Sequence, residues 1–184
     1  PKKQLIAKRK KETKNGLIEL GIPHCFNFPD GHLGDDFSHK KIIQKYIFKI
    51  NPDLIITHHI NDYHSDHCNL SEIISKVSGH YFPIIYCETM MGLNFSPTYY
   101  VDISKVFEMK KKAILCHESQ EPKRFINLVQ MMNGYRAAQC NSPIGTFAEC
   151  YYFKKSFPFT DISNLLPEPP KIKPFNIQNQ VGFL

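Results

Sequence analysis

Between two stretches of helical pattern, Asp53-Leu54-Ile55-Ile56-Thr57 forms an apolar run too short to be a helix. Its β-branched content, and the Asn51-Pro52 stop just before it, predict a buried strand over 53–57. That strand runs straight into Thr57-His58-His59-Ile60-Asn61-Asp62-Tyr63-His64-Ser65-Asp66-His67, which packs four histidines and two aspartates into eleven residues. Open α/β sheets carry their ligands beyond the carboxyl ends of their strands. The pairing of strand and polar cluster therefore restricts the chain to folds in which this end of the sheet is a site.

The rest of the chain repeats the alternation. Helical patterns cover 3–20, 39–50, 68–78, a segment from Asp102 or Ser104 to about 116, and roughly 122–133. In the second, Ile43, Tyr46, Ile47 and Ile50 share a face, with Ser38 as the expected N-cap. In the third, Leu70, Ile73, Ile74 and Val77 form the inner stripe. Strands are expected at 24–28, 53–57, 83–87, 98–102 and 147–153. Strands alternating with helices of ten or more residues predict an α/β, mostly parallel sheet flanked by helices. At 184 residues the chain is sized for one domain with a real core. Residues 1–157 are read as that domain. Residues 158–184, with Pro167, Pro169, Pro170 and Pro174, are read as a tail packed on the surface.

Composition narrows the setting. No apolar run reaches the roughly 18–20 residues of a membrane span, so no span is expected. Six cysteines lie scattered without a Cys-x-x-Cys pair, which reads as reduced thiols and a cytoplasmic location. The net charge of +6 is concentrated at the start of the chain, where in residues 2–14 Lys2, Lys3, Lys8, Arg9, Lys10, Lys11 and Lys14 face Glu12 alone. No aromatic interleaving accompanies them, so a solvated face is favoured over a nucleic-acid surface. Homo-oligomerisation is left open.

Several separated stretches, in order, resemble the LmbE/PIG-L group of zinc-dependent deacetylases. They are Arg9-x-x-Glu12 followed by Leu20-Gly21; Phe28-Pro29-Asp30-Gly31; Asn61 to His67; Lys112 to Gln120; and Ala148-Glu149-Cys150-Tyr151-Tyr152. The resemblance implies a Rossmann-like fold, a Zn2+ cofactor and a small acetylated sugar or sugar conjugate as partner. By position, it implies that His67 is a zinc ligand and that His64 stabilises an oxyanion or protonates the leaving amine. Asp66 would tune His64. Arg9 and Asp30 match positions that hold sugar hydroxyls, with Tyr63 a further substrate contact. Ser65 stands where the group usually has Pro. His117, Ser119 and Gln120 are read as structural; His58 and His59 as loop support; His24, His32, His39 and His80 as surface residues.

Amide hydrolysis asks for the same residue types on chemical grounds: a metal to polarise the carbonyl and acidify water, a carboxylate base, and an oxyanion donor. A catalytic zinc takes three protein ligands. The group's His-Pro-Asp-Asp-Glu element, which supplies two ligands and the base, is not found in these residues. The expectation is a domain missing its first βαβ unit, with His67 a lone ligand and this chain alone inactive. The alternatives are a non-catalytic sugar- or nucleotide-sugar-binding relative, a metal-dependent phosphohydrolase and, last, a nucleic-acid binder.

Overall fold

The computed structural model describes residues 2–172. In chain order its elements are α1 (Lys2–Gly16), α2 (Phe37–Ile50), β1 (Ile55–Thr57), α3 (Ser65–Ser78), β2 (Ile84–Cys87), β3 (Tyr99–Asp102), α4 (Phe107–Leu115), α5 (Pro122–Gln139) and β4 (Ala148–Phe153). Short 3-10 turns lie at 90–92, 118–120 and 163–165. Among the described residues, no helix is long and apolar enough to cross a membrane.

The four strands stand in the order β1-β2-β4-β3. β1 and β2 pair in parallel, with Ile55 opposite Ile84 and Thr57 opposite Tyr86. β4 is antiparallel to both of its neighbours. The α/β, Rossmann-like class stands, but the sheet is mixed: three strands point one way, and the reversed β4 is inserted among them. The cause lies in the connection. A single crossover helix returns the chain to the starting end of the sheet and yields a parallel strand. Between β3 and β4 there are two helices, α4 and α5. The second cancels the return made by the first, so β4 enters from the opposite end.

One core cluster joins Ile43 of α2 and Ile73, Ile74 and Val77 of α3 to Ile55 and Ile84. A second gathers Val101, Ile103 and Phe107, with Phe147 stacked on Phe107 at 3.7 Å. A third joins Ile85 and Phe153 to Ile162, which is 1% exposed. That third cluster corrects the reading of 158–184 as a surface arm, because Ile162 is a core residue. Residues 173–184, including Pro174, lie outside the described residues.

Residues 24–28 form no strand. Asn27 sits at φ 61°, a left-handed conformation that breaks extended pairing. The aromatics there pack on α2 instead: His24 stacks on Tyr46 at 4.5 Å, and Phe28 tilts over His39 at 4.2 Å. His39 is accordingly buried, not on the surface, and its Nδ1 accepts from Gly34 N at 3.2 Å. Asp36 caps α2, not Ser38: its Oδ1 accepts from Ser38 N at 2.7 Å.

Candidate active site

β1 ends at Thr57, and α3 begins at Ser65. The histidine loop is the connection between them, held taut by its own polar groups. His64 is the N-cap of α3, its Nδ1 accepting from Asp66 N at 3.2 Å. An imidazole that accepts at Nδ1 carries its proton on Nε2, so His64 presents an N–H donor outward. Asp62 is the hub. Its Oδ1 accepts from His64 N at 3.1 Å and pairs with His67 Nδ1 at 3.0 Å. The His67 ring lies 4.7 Å from that of His64 and stacks parallel to that of His58 at 3.8 Å. Burial, and next the charge of His67, hold His58 below the ordinary histidine value, against the pull of Asp62.

A cleft of about 410 Å³ opens beneath this cluster, lined by His58, Asp62 and His67 on one side and by Lys110, Glu149 and Tyr151 on the other. It adjoins a more apolar lobe of about 610 Å³ walled by Met90, Met91, Leu93 and Phe125. Across the cleft Glu149 is tied to Lys110, which also donates to Asn133 Oδ1 at 2.8 Å; Tyr151 OH donates to Glu149 Oε2. Burial would raise the Glu149 carboxyl, but Lys110 and the Tyr151 hydroxyl together outweigh it and keep the group below its ordinary value.

Residues 1–78, which run from α1 to the end of α3, match the family described as "PIG-L: GlcNAc-PI de-N-acetylase". Three solved structures share the fold. A conserved protein from Thermus thermophilus is 20% identical with a TM-score of 0.66, over 85% of this chain and 78% of that one. GalB, the 4-carboxy-2-hydroxymuconate hydratase from Pseudomonas putida, is 16% identical with a TM-score of 0.67, over 82% and 72%. N,N'-diacetylchitobiose deacetylase from Pyrococcus horikoshii, complexed with an inhibitor, is 21% identical with a TM-score of 0.68, over 82% and 64%. Comparison with curated proteins found no match.

The PIG-L stretch contains every residue expected at the site. The structure brings Asp30, His64 and Asp66 together, their polar atoms within 4.8 Å of one another. Tyr63, 71% exposed, stands edge-on to His64 and His67 with ring centroids 6.1 Å from each. Asp66 has a different neighbour from the one expected. Its carboxylate accepts from Gly31 N at 2.7 Å and Leu33 N at 3.0 Å, so it fastens the Asp30 loop to α3. Burial raises the Asp66 carboxyl, but these two amides and the charge of His64 bring it below its ordinary value. The Asp66 carboxylate thus spends its hydrogen bonds on these amides and not on the His64 ring.

Arg9 is engaged elsewhere. With the Gln120 amide turned to accept, Arg9 Nε and one terminal nitrogen donate to its oxygen at 2.9 and 2.8 Å. Glu12, three residues on, accepts from Ser119 N at 2.9 Å and Ser119 Oγ at 2.6 Å. The structural role expected for Ser119 and Gln120 takes a specific form: they clamp α1 to the turn after α4.

The donor set near His67 fits a metal in type: two imidazoles and one carboxylate, His58, Asp62 and His67, with ligating atoms within 4.8 Å of one another. Geometry favours His67. Its Nδ1 is held by Asp62, as an outer carboxylate orients a ligating histidine, which leaves Nε2 for an ion. His58 lies parallel to it at 1°, so the two rings are stacked and do not converge on a common point. His58 joins only after its ring turns. The second group, Asp30, His64 and Asp66, is a poorer host, because both Asp66 oxygens and His64 Nδ1 already accept hydrogen bonds.

Asp62 has no role assigned to it from sequence, although an acid five residues before His67 is a visible signal. Lys110 and Glu149 carry no such signal, being 39 residues apart in sequence.

Proposed function

We propose that this chain belongs to a zinc-dependent hydrolase that removes the N-acetyl group from an N-acetylglucosamine-type sugar or sugar conjugate. The observation that carries the reading is the Asp62–His67 hydrogen bond beside His64 at the mouth of the cleft. The PIG-L match over residues 1–78 supports a deacetylase-type activity. His67, through Nε2, would hold zinc, with His58 a second donor once its ring turns. A zinc ion there supplies Lewis acidity toward the acetyl carbonyl and lowers the pKa of water.

The remaining roles fall to the chain. Asp62 fixes the His67 tautomer and, through its bond to His64 N, the entry of α3. The outward Nε2–H of His64 is placed as a donor to a developing oxyanion, a contribution of about 2.7–4 kcal/mol where such donors have been removed. To serve also as general acid to the departing amine, the ring would release the Asp66 N–H bond and take up a solvent proton at Nδ1, passing the Nε2 proton to the amine. Asp30, steadied by the Asp66–Gly31 bond, accepts from sugar hydroxyls near His64. Tyr63 covers the sugar from the solvent side. Arg9, occupied by Gln120, would reach substrate only by exchanging that partner.

One placed imidazole holds zinc weakly, so the chain by itself is expected to bind zinc weakly and to release no acetate. The test is therefore a binding one. Zinc affinity is measured by competition with a chromogenic chelator, and N-acetylglucosamine binding by saturation-transfer NMR. His67→Ala should abolish the zinc signal, and Asp62→Asn should weaken it about 10- to 100-fold. Asp30→Ala should remove the sugar signal while leaving zinc unchanged. Zinc binding indifferent to His67 would sink the reading. Phosphate-ester hydrolysis with added metal would favour a phosphohydrolase, which needs the second group of acids that the loop amides already occupy.

A further inference from the structure

Beyond Thr57 the chain sends two adjacent histidines to different places. His58 stacks on His67 over the cleft, whereas His59 lines a separate cavity of about 530 Å³ beside α3. His59 is 7% exposed and enclosed by the edges of Tyr86, Phe95 and Tyr152, with ring centroids 5.1–6.0 Å away. Its Nδ1 accepts from Asn61 N at 3.2 Å, which puts the ring proton on Nε2. That N–H has no hydrogen-bond partner among the described residues. Nor is it sealed: among their side chains, Thr57 Oγ1 is the atom both enclosed and unpartnered. A buried imidazole thus offers a free donor to space that a ligand can enter.

The rest of the lining has the same polarity. Hydroxyls of Ser71, Ser75 and Tyr86 border the cavity, and Lys76 and Lys154 stand at it. Its one carboxylate, Glu72, is neutralised by Lys76. Lys154 has no ion-pair partner among the described residues, so the cavity keeps one uncompensated cation and several donors. A charged acceptor meeting such donors makes the shorter, stronger class of hydrogen bond.

We propose that this cavity binds the oxyanion group of a small molecule, a phosphate or a carboxylate, with His59 Nε2 and Lys154 Nζ as its main donors. The Tyr86 and Tyr152 rings form the wall against which the organic part of such a ligand lies. Asn61 links the two sites, because it lines both this cavity and the apolar lobe beside the cleft. Its backbone holds His59, and its side chain reaches Asn94 O at 3.5 Å. The proposal is independent of the metal reading and needs no ion at His67.

The experiment follows the histidine ring resonances of the labelled full chain at fixed pH. Inorganic phosphate and acetate are titrated separately, against sodium chloride at matched ionic strength to remove general screening. The expected result is a saturable shift of His59 with phosphate, acetate or both, and none with chloride. Which anion saturates at lower concentration identifies the group. Lys154→Met, at an exposed position, should weaken the binding at least tenfold, by the loss of a charged donor. The proposal is overturned if His59 responds equally to chloride, if phosphate moves only His64 and His67, or if Lys154→Met titrates like the parent. His59→Gln, checked for folding by circular dichroism, should lose saturation while leaving zinc affinity unchanged.

Discussion

Ile162 gives the sharpest test of how far the domain extends. It lies beyond the last strand, in a Pro-containing segment, yet it is 1% exposed against Ile85 and Phe153. Ile162→Ala removes three carbons. At about 0.8 kcal/mol for each buried methylene, the transfer loss is about 2.4 kcal/mol. Ile85 and Phe153 are held by paired strands β2 and β4, so the site collapses poorly and a cavity term adds to this. A total of about 3 kcal/mol sits within the range for such truncations. For a chain of this size it corresponds to a fall in Tm of roughly 6–12 °C. Urea unfolding followed by circular dichroism, with the slope held to the parent value, measures it directly. Ile144→Ala, at a fully exposed residue, should change nothing. A loss below about 0.5 kcal/mol for Ile162→Ala would refute the claim that the segment belongs to the core. So would limited proteolysis that removed 158–172 without moving the unfolding midpoint.

Three further outcomes follow from the charged groups. Lys110→Met strands the Glu149 carboxylate, and because that side chain keeps 28% exposure the cost should be about 2–4 kcal/mol, at or below the range for buried pairs. Adding Glu149→Leu should recover most of it in the same urea assay. His58 should titrate below its ordinary 6.5 by NMR, since burial and His67 disfavour its charged form. The unfolded chain then takes up the proton first, so this residue adds no penalty above about 6.5 and an increasing one as pH falls below it. A midpoint at or above 6.5 would contradict the packing described. Asp66, a depressed acid, has the same direction of dependence at lower pH. Its stabilisation is complete above the ordinary 3.8 and is lost as pH falls through its lower native value. Asp66→Asn should flatten the acid limb of the stability profile, and an unchanged limb would count against the Gly31 and Leu33 bonds.

Local pattern carried much of this fold. Ile43 and Ile47, and Ile73, Ile74 and Val77, announced α2 and α3 through spacing alone, and the run before Thr57 announced β1. What stayed hidden was whatever depends on a distant partner. Residues 24–28 have strand composition, but they find α2 rather than another strand, and Asn27 turns the backbone away. The expected end of the last helix at 133 fails because Asn133 is buried: its amide donates to Ala148 O at 2.9 Å and accepts from Lys110, so α5 continues to Gln139. The reversal of β4 depends on two helices packing as a pair, which no periodicity within either one reveals. At the site, the spacing of His64, Asp66 and His67 was legible. Which carboxylate touches which ring was not: Asp62 holds the His67 imidazole, and the Asp66 carboxylate bonds the Gly31 and Leu33 amides.

The register of β1 against β2 has a consequence for how this protein can change. Thr57 sits opposite Tyr86, and the chain that continues past it sends His58 to one cavity and His59 to the other. Exchanging residue types at either position alters one cavity and spares its neighbour. Inserting or deleting a single residue before His58 reverses both assignments at once, because a strand's side chains change face with every step. Variation that keeps the length from Thr57 to His64 is therefore free to act on the two sites separately. Variation in length is not, and a library built on this loop should diversify letters while holding their number fixed.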